Sequence, residues 1–402
     1  MHQKYLLLIT LAICLLGCTP TPDAASPIPA LAVTTLSLTV PDSIPKGDKV
    51  AGTLEIAEGA EANLTTVPIR IERRGGYSIR FSKYSYELDL PEDLPLAGLP
   101  ADDDWILNAN YIDKTFLRHV LSFQLFRQMN PNNRAASTAF VELQRNGDYA
   151  GLYVLMEKLD RSTLNVKKGD PGAFIFKEPQ IFRESYDGIV AENPDNFHQQ
   201  TYPKRSKADR SPALEDLRQL ILEADSATFN KDIHQAIDVD NFIDWHLLLL
   251  LTNNQDGILK NFYLYRQRTG QPIRVAPWDY DHSFGRDGDN EANMNERPAQ
   301  LERSILFRRL LQQEWYRKAL HERWEELHSN LFSPANLIAE IDALAQQLQP
   351  YAERNFSRWP TTAEAYYDDN DFMTEINWMK QFITLRNTYL ESYFAALKAK
   401  PS

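Results

Sequence analysis

Cysteine is nearly absent from this sequence, because the 402 residues include only Cys14 and Cys18, both close to the N-terminus. The body of the chain therefore offers no thiolate for nucleophilic catalysis or for a zinc site, and no disulfide. Two hydrolase signatures are missing as well. There is no Gly-x-Ser-x-Gly elbow, and His321 with Glu322 lacks the second histidine that a zinc protease needs four positions after the first.

Basic residues are fewer than acidic ones, with 43 Lys and Arg against 55 Asp and Glu, and the formal net charge is −12. A chain with this balance binds nucleic acid poorly unless its basic residues cluster. Protein substrates, or small anions held through a metal ion, are favoured instead. Hydrophobic residues make up 43% of the chain, which is enough for a sizeable core in one large two-lobed domain or two domains. We expect a monomer.

The N-terminal residues predict export. A basic start is followed by the apolar run 5–16 and then by Leu-Leu-Gly-Cys, which ends at Cys18. The run is too short to span a membrane comfortably and is typical of a secretory signal peptide. Because a cysteine directly after glycine matches a bacterial lipobox, we predict a signal peptide over residues 1–17, lipidation of Cys18 and a flexible tether over 18–33. An ordinary signal peptide with an incidental cysteine is the alternative.

Thr19, rather than an acidic residue, follows the predicted lipid site. By resemblance to Gram-negative lipoproteins, this favours the outer membrane over retention in the inner one. We therefore expect an exported protein that contacts the membrane only through its N-terminal lipid, on either the periplasmic or the surface face.

Apolar periodicity changes along the chain from strand-like to helix-like. The pair Asn146-Gly147 between two alternating runs predicts a β-hairpin, and Asp113 is a plausible N-cap for the first helix. We predict an α+β fold, with a strand-rich N-terminal lobe over about 34–185 and a helical C-terminal lobe over about 210–400. The predicted strands are 36–40, 52–56, 67–73, 84–90, 139–144, 149–156, 173–176, 262–266 and 273–276; the predicted helices are 116–129, 212–224, 239–251 and those from about 301 onward; 187–210 is predicted as a loop.

The residues that indicate chemistry lie between 240 and 285. A polar loop after a helix holds Asp256 and, five positions later, Asn261, and the following hairpin ends in Asp279 and Asp281. Kinases need this layout for phosphoryl transfer: one Asp orients the attacking hydroxyl, an Asn holds a metal, and a second Asp bridges the metal to the phosphates. Carboxylate and amide oxygens suit Mg²⁺ or Mn²⁺. The layout predicts a nucleotide and metal site, with plain surface-turn residues as the alternative.

The sequence Pro-Trp-Asp-Tyr-Asp-His-Ser-Phe-Gly at residues 277–285 resembles the hallmark of the CotH kinase family. Further similar segments occur in the same order at 74–86, 110–118, 146–157 and 376–386. The resemblance covers about 73–386, most of the chain. It implies a two-lobed, atypical protein-kinase-like fold and the transfer of phosphate from ATP to secreted proteins.

The resemblance also implies roles for single residues. Asp256 would be the catalytic or hydroxyl-orienting Asp, and Asn261, Asp279 and Asp281 would hold Mg²⁺ or Mn²⁺. Asn254 and Gln255 replace the His-Arg of ordinary kinases, which we interpret as constitutive activity. Trp278 and Phe284 are expected to anchor the metal loop in the core, and His282 is expected to pack rather than to bind metal.

Four charged residues are candidates for nucleotide binding. Lys83 is the first choice for pairing with the ATP phosphates, as a compact cation reaching an anion, and Lys177 at a strand end is its rival. Glu157 is expected to pair with either lysine. Arg74, with the backbone amides that follow it, is expected to close over the phosphates. For each of them a solvated charge or a strand-end salt bridge is the alternative.

Three functions remain open from the sequence. The first is an exported ATP- and metal-dependent kinase that phosphorylates Ser or Thr of secreted or cell-envelope proteins. The second is a non-catalytic surface lipoprotein that uses the same fold for adhesion or assembly. The third is transfer of AMP from the same nucleotide site, which needs the same metal-bound triphosphate.

Overall fold

The computed structural model of the protein describes residues 33–58, 63–186, 198–286, 300–360 and 368–399, and the structural statements below refer to these ranges. The predicted signal peptide, Cys18 and nearly all of the predicted tether lie outside the described residues. Their assignments therefore stay predictions.

Seven strands in the first half of the chain close into a barrel in the order β1-β2-β3-β4-β5-β7-β6. All neighbours are antiparallel except β1 and β6, which run parallel. Buried and more exposed side chains alternate along the strands of the barrel. Leu36, Leu38 and Leu54 point into a separate hydrophobic core, while their neighbours face outward. The strands are β1 (Thr34–Thr39), β2 (Val50–Glu58), β3 (Asn63–Arg74), β4 (Ser85–Leu94), β5 (Asp102–Asn108), β6 (Thr138–Arg145) and β7 (Asp148–Glu157).

A second sheet of four antiparallel strands has the order β11-β10-β8-β9. Its strands are β8 (Phe174–Lys177), β9 (Gln199–Tyr202), β10 (Phe262–Arg266) and β11 (Arg274–Pro277). A loop was predicted over 187–210, and this prediction is wrong at 199–202, where the chain forms β9. Residues 187–197 lie outside the described residues. Strand β9 reads Gln-Gln-Thr-Tyr and lies at a sheet edge, so no apolar alternation marks it in the sequence.

Helices dominate the second half of the chain. Helix α4 is buried on nearly every side, with all five leucines of 247–251 at most 1% exposed, so it forms the centre of the larger core. None of the helices among the described residues combines the length and apolar character that crossing a membrane requires. The helices are α1 (Arg118–Met129), α2 (Ser211–Glu223), α3 (Ser226–Ala236), α4 (Val239–Thr252), α5 (Ile305–Leu311), α6 (Glu314–His328), α7 (Pro334–Arg358) and α8 (Phe372–Lys398).

The predicted α+β class, with strands first and helices after, is confirmed. The hairpin at Asn146-Gly147 is confirmed too, because both residues adopt positive φ, 52° and 87°. The Asn146 side chain also bonds both the N–H and the carbonyl of Val40 at 2.9 Å, which fixes the end of β1 against the hairpin. The closed barrel, β5 and α3 were not predicted. The two-lobed arrangement and its boundaries stay predictions, and β8, which falls within the first predicted lobe, pairs with β10 of the second.

The first helix begins two residues later than predicted, at Arg118, and its N-cap residue is Leu117 rather than Asp113. Asp113 still serves the helix end. Its Oδ2 accepts a hydrogen bond from the backbone N–H of Arg118 at 3.0 Å, which satisfies one of the unpaired donors of the first turn.

Removing buried volume from α4 tests its central position. Leu248 is fully buried, so we expect Leu248→Ala to lower the free energy of unfolding by about 2–5 kcal/mol through lost contacts and a residual cavity. Leu222 on α2 is 44% exposed, and Leu222→Ala should change it by no more than about 0.5 kcal/mol. Urea unfolding of both variants measures the difference, and equal losses would contradict a central α4.

Candidate active site

The loop after α4 carries Asp256 on a short 3₁₀ helix. Asn253 ends α4 in the left-handed conformation, and the Arg386 guanidinium of α8 donates to the carbonyl of Leu250 at 2.7 Å, which satisfies an open carbonyl of the last turn. The side chain of Asp256 is 39% exposed, and one of its oxygens lies 2.9 Å from the ammonium of Lys260. Asp256 is therefore a solvent-accessible carboxylate with a cation beside it.

Asn261 connects this loop to the loop after β11. Its backbone adopts φ 61°, which turns the side chain toward Asp279. The Asn261 amide donates to the backbone carbonyl of Asp279 at 3.0 Å, and the N–H of Trp278 donates to the carbonyl of Asn261 at 2.9 Å. The structure thus brings Asn261 and Asp279 together, as the spacing predicted. The amide nitrogen is engaged, which leaves the amide oxygen as the atom that would reach a metal.

Three potential metal ligands converge at the end of β11. Nε2 of His119, on α1, lies 3.3 Å from Oδ1 of Asp279, and the ligand atoms of His119, Asp279 and Asp281 all lie within 4.8 Å of one another. His119 is 3% exposed, whereas the side chain of Asp279 is half exposed. Two carboxylates with one imidazole fit a divalent ion such as Mn²⁺. His119 was missed because nothing in the local sequence distinguishes it from any buried histidine on an apolar helix.

The carboxylates of Asp279 and Asp281 repel each other. Burial and the neighbouring charge of Asp279 raise the pKa of Asp281 to about 6. Burial acts in the same direction on Asp279, but the hydrogen bond and charge of His119, with Arg74 and His282, hold the pKa of Asp279 below its usual range. Burial lowers the pKa of His119, yet Asp279 and Asp281 outweigh it and raise that pKa. A divalent cation would relieve the repulsion between the two carboxylates, so the residues present fit a metal.

One predicted basic residue, Arg74, lies near these carboxylates, and a second, Lys177, ends a strand of the adjoining sheet. The guanidinium of Arg74, at the end of β3, stands 5.7 Å from the centre of the Trp278 ring, and its charge helps to lower the pKa of Asp279. Lys177, at the end of β8, lies beside Tyr263 of β10 in the sheet. The next residue, Glu178, was missed by the sequence analysis. Burial raises the pKa of Glu178, and the charge of Lys177 lowers it. The negative charges of Asp279 and Asp256 also raise this pKa, so both acidic loops act on Glu178.

Lys83 and Glu157 are placed elsewhere. Lys83 is 2% exposed; its ammonium donates to the carbonyls of Ala109, at 2.8 Å, and Leu152, and stands over the ring of Tyr153. Burial lowers its pKa well below the usual range. Contact with a phosphate is not available to an ammonium enclosed in this way. Glu157 accepts from the N–H of Ser137 at 2.7 Å and, among the described residues, forms no ion pair with a lysine.

A buried cation, the guanidinium of Arg118, anchors the loop that follows Asp279. The Arg118 guanidinium donates through Nε to the carbonyl of Ser283 at 2.9 Å. It also pairs with Asp113 at 2.6 Å and with Glu375 of α8 at 3.3 Å. Glu375 binds Arg286, at the far end of the same loop. No local sequence pattern indicates this network, because Arg118 lies 165 positions from Ser283 and 257 from Glu375.

Aromatic residues complete the anchoring, as predicted. Trp278 is 5% exposed and stacks on Phe123 of α1, with ring centroids 6.3 Å apart. Phe284 is fully buried, and its backbone N–H donates to the carbonyl of Thr252 at the end of α4 at 2.8 Å. His282 is partly exposed and forms no side-chain hydrogen bond among the described contacts. The Asp256 loop and the Asp279 loop are therefore fixed to the same helix end.

Removing the His119 imidazole tests its place in the metal cluster. We expect His119→Phe, which keeps a ring of similar size in the buried position, to weaken Mn²⁺ binding by about tenfold, because Asp279 loses a partner that orients it. Isothermal titration calorimetry with Mn²⁺ measures the change. His234→Phe on α3, at an exposed histidine, is the matched control. Equal affinities in wild type and His119→Phe would remove His119 from the cluster.

The chain was compared with known proteins. The family described as CotH kinase protein matches residues 71–390. The chain is also similar to the inner spore coat protein H of Bacillus subtilis (strain 168), with 25% identity over 341 residues that cover 84% of this chain and 90% of the relative. The family match spans every site residue described above, from Arg74 to Arg386. The chain therefore belongs to the CotH kinase family.

Proposed function

We propose that this protein is an exported kinase that uses ATP and Mg²⁺ or Mn²⁺ to phosphorylate Ser or Thr of secreted or cell-envelope proteins. The observation that carries the proposal is the junction between two loops. An exposed Asp256 stands on one loop and the Asp279 and Asp281 pair on the other, joined through Asn261. Kinase chemistry requires one carboxylate for the acceptor and a second, separate acidic group for the metal.

Asp256 acts on the acceptor hydroxyl in this proposal. Its carboxylate is accessible, so a Ser or Thr hydroxyl can donate a hydrogen bond to it and be oriented for attack. The Lys260 ammonium lies 2.9 Å from the same carboxylate. Lys260 is 46% exposed, so it can also turn toward a transferred phosphoryl group.

Asp279 and Asp281 would hold the divalent ion, together with the amide oxygen of Asn261. The ion, when bound, would neutralise negative charge on the triphosphate. His119 orients Asp279 from the buried side through the contact at 3.3 Å, so that the exposed half of the carboxylate faces the nucleotide. Arg74 and Lys177 then supply the cations for the phosphates. We assign this task to Lys177 because Lys83 is enclosed by carbonyl groups.

The wider architecture and the location belong to the same proposal. The barrel would form the N-terminal lobe of a kinase-like fold, and the second sheet with the helices would form the other. The relative is named an inner spore coat protein, and an envelope location for this chain agrees with the predicted signal peptide. We propose lipid attachment at Cys18 and anchoring to the outer membrane.

Phosphate transfer tests the function directly. The full-length protein is incubated with ATP labelled at the γ-phosphate, Mg²⁺ or Mn²⁺, and casein or a periplasmic extract as acceptor. We expect Asp256→Asn and Asp279→Asn to lower the transfer rate by a factor on the order of 10² to 10⁴, because each removes a group that the chemistry needs. Asp232→Asn, at a half-exposed carboxylate on α3, is the control and should keep full activity.

The mass added to the acceptor decides between phosphate and AMP, since an AMP group is several times heavier. Transfer that survives in both active-site variants would refute catalysis at this site. The absence of transfer together with the absence of metal-dependent ATP binding would favour the non-catalytic adhesion or assembly role.

Two lysine variants separate nucleotide binding from packing. Lys83→Met should leave the KM for ATP unchanged but destabilise the fold by about 1–3 kcal/mol, because two buried carbonyls lose their donor. Lys177→Met should leave stability unchanged but raise the KM for ATP by about tenfold, because a charged contact is lost. Thermal unfolding and steady-state kinetics on the same preparations measure both effects. A raised KM for ATP in Lys83→Met, with an unchanged KM in Lys177→Met, would assign the phosphate contact to Lys83 instead.

A further inference from the structure

A cleft of about 410 Å³ lies beside the loop that carries Asp256. Leu259 lines it, and the backbone N–H of Leu259 donates to the carbonyl of Asp256 at 3.3 Å, so the cleft begins within one turn of the proposed catalytic residue. The other lining residues are Arg183, Glu184, Ser185, Glu302, Arg303 and Arg308. Its volume lies within the range of about 300–1,000 Å³ that is typical of ligand sites.

The wall formed by 183–185 continues from the active site. A short 3₁₀ turn, Gln180–Phe182, separates it from Glu178, whose backbone N–H donates to the carbonyl of Phe262 at 2.9 Å at the start of β10. Arg218 of α2 holds this wall in place: its guanidinium donates to the carbonyls of Ile181, Arg183 and Glu184 at 2.7, 2.6 and 3.0 Å. Arg218 is 9% exposed, so these bonds are shielded from water. The wall is therefore preorganised, which lowers the entropic cost of binding.

The charge of the cleft is positive although the chain as a whole is acidic. Three arginines and two glutamates line it, and Glu184 is already paired with Arg308. Arg303 is exposed, and its side chain has no hydrogen-bond or ion-pair partner among the described residues. Within the part of the chain that the structure describes, nothing engages its guanidinium, which can form a bidentate pair with a carboxylate from outside. A basic occupant would be repelled by the same cation.

We propose that this cleft is a subsite for the acceptor protein, and that it takes acidic side chains flanking the Ser or Thr that enters next to Asp256. The proposal rests on the proposed kinase function and extends it to the class of substrate. Leu259 provides an apolar contact at the active-site end, while Arg303 and Arg183 select carboxylates along the wall.

Charge reversal at Arg303 tests the subsite. Three synthetic peptides are compared, each with one serine flanked by glutamate, alanine or lysine. Wild type should phosphorylate the glutamate peptide best. Arg303→Glu should lower kcat/KM for the glutamate peptide by about threefold to tenfold and raise it for the lysine peptide, as expected for one partly exposed ion pair that is reversed. Arg268→Glu, an exposed arginine in the turn between β10 and β11, carries the same charge change and should leave the preference intact.

Peptide binding separates this proposal from the kinase function. The anisotropy of fluorescent forms of the three peptides is measured on wild type, Arg303→Glu and Arg268→Glu without nucleotide. Tighter binding of the glutamate peptide that only Arg303→Glu abolishes would support the subsite, even if no phosphate is transferred. Phosphorylation of all three peptides with equal kcat/KM, or equal binding of all three to wild type, would overturn it and leave the kinase function standing.

Discussion

The pairing of the buried Arg118 guanidinium is the interaction on which the site depends. Arg118 is 1% exposed and satisfies Asp113, Glu375 and the carbonyl of Ser283 at once. A charge removed from water in this way is tolerated only when its donors are all used, and losing one partner of such a network typically costs about 3–5 kcal/mol. Because its partners come from the segment before α1, from α8 and from the metal loop, one side chain on α1 holds these segments together.

The geometry of the two loops follows from this anchoring. The turn at Ser283 is fixed by Arg118, and the N–H of Phe284 is fixed to the end of α4, so the loop that carries Asp279 has little freedom. Asn261, at the end of the Asp256 loop, donates a hydrogen bond to the Asp279 carbonyl, and this bond fixes the two loops relative to each other. Asp279 and Asp281 repel each other, so they remain close only because hydrogen bonds to the following residues fix the backbone of their loop.

The sequence predicted the parts that local chemistry determines. The Asn146-Gly147 turn and the apolar helix at 247–251 each depend on a few neighbouring residues, and both features are present in the structure. It did not predict what tertiary pairing determines. Lys83 lies just before β4 and Lys177 ends β8, and only the three-dimensional arrangement encloses the first and leaves the second partly exposed. His119 and Glu375 carry no local signal, because Asp279 lies 160 positions from His119 and Arg286 and Arg118 lie 89 and 257 positions from Glu375.

Backbone strain is concentrated where these loops meet. Of ten non-glycine residues with positive φ among the described ranges, five lie around the site: Glu178, Asn253, Asn261, Asp279 and Phe284. Asparagine and aspartate tolerate this conformation, but for other side chains it costs roughly 1–2 kcal/mol each. The two costly residues, Glu178 and Phe284, are held by hydrogen bonds from their own N–H groups, at 2.9 Å and 2.8 Å. Such conformations persist only where the surrounding contacts hold them, and they cluster at functional sites; here they lie in and beside the loops that carry Asp256, Asn261 and Asp279.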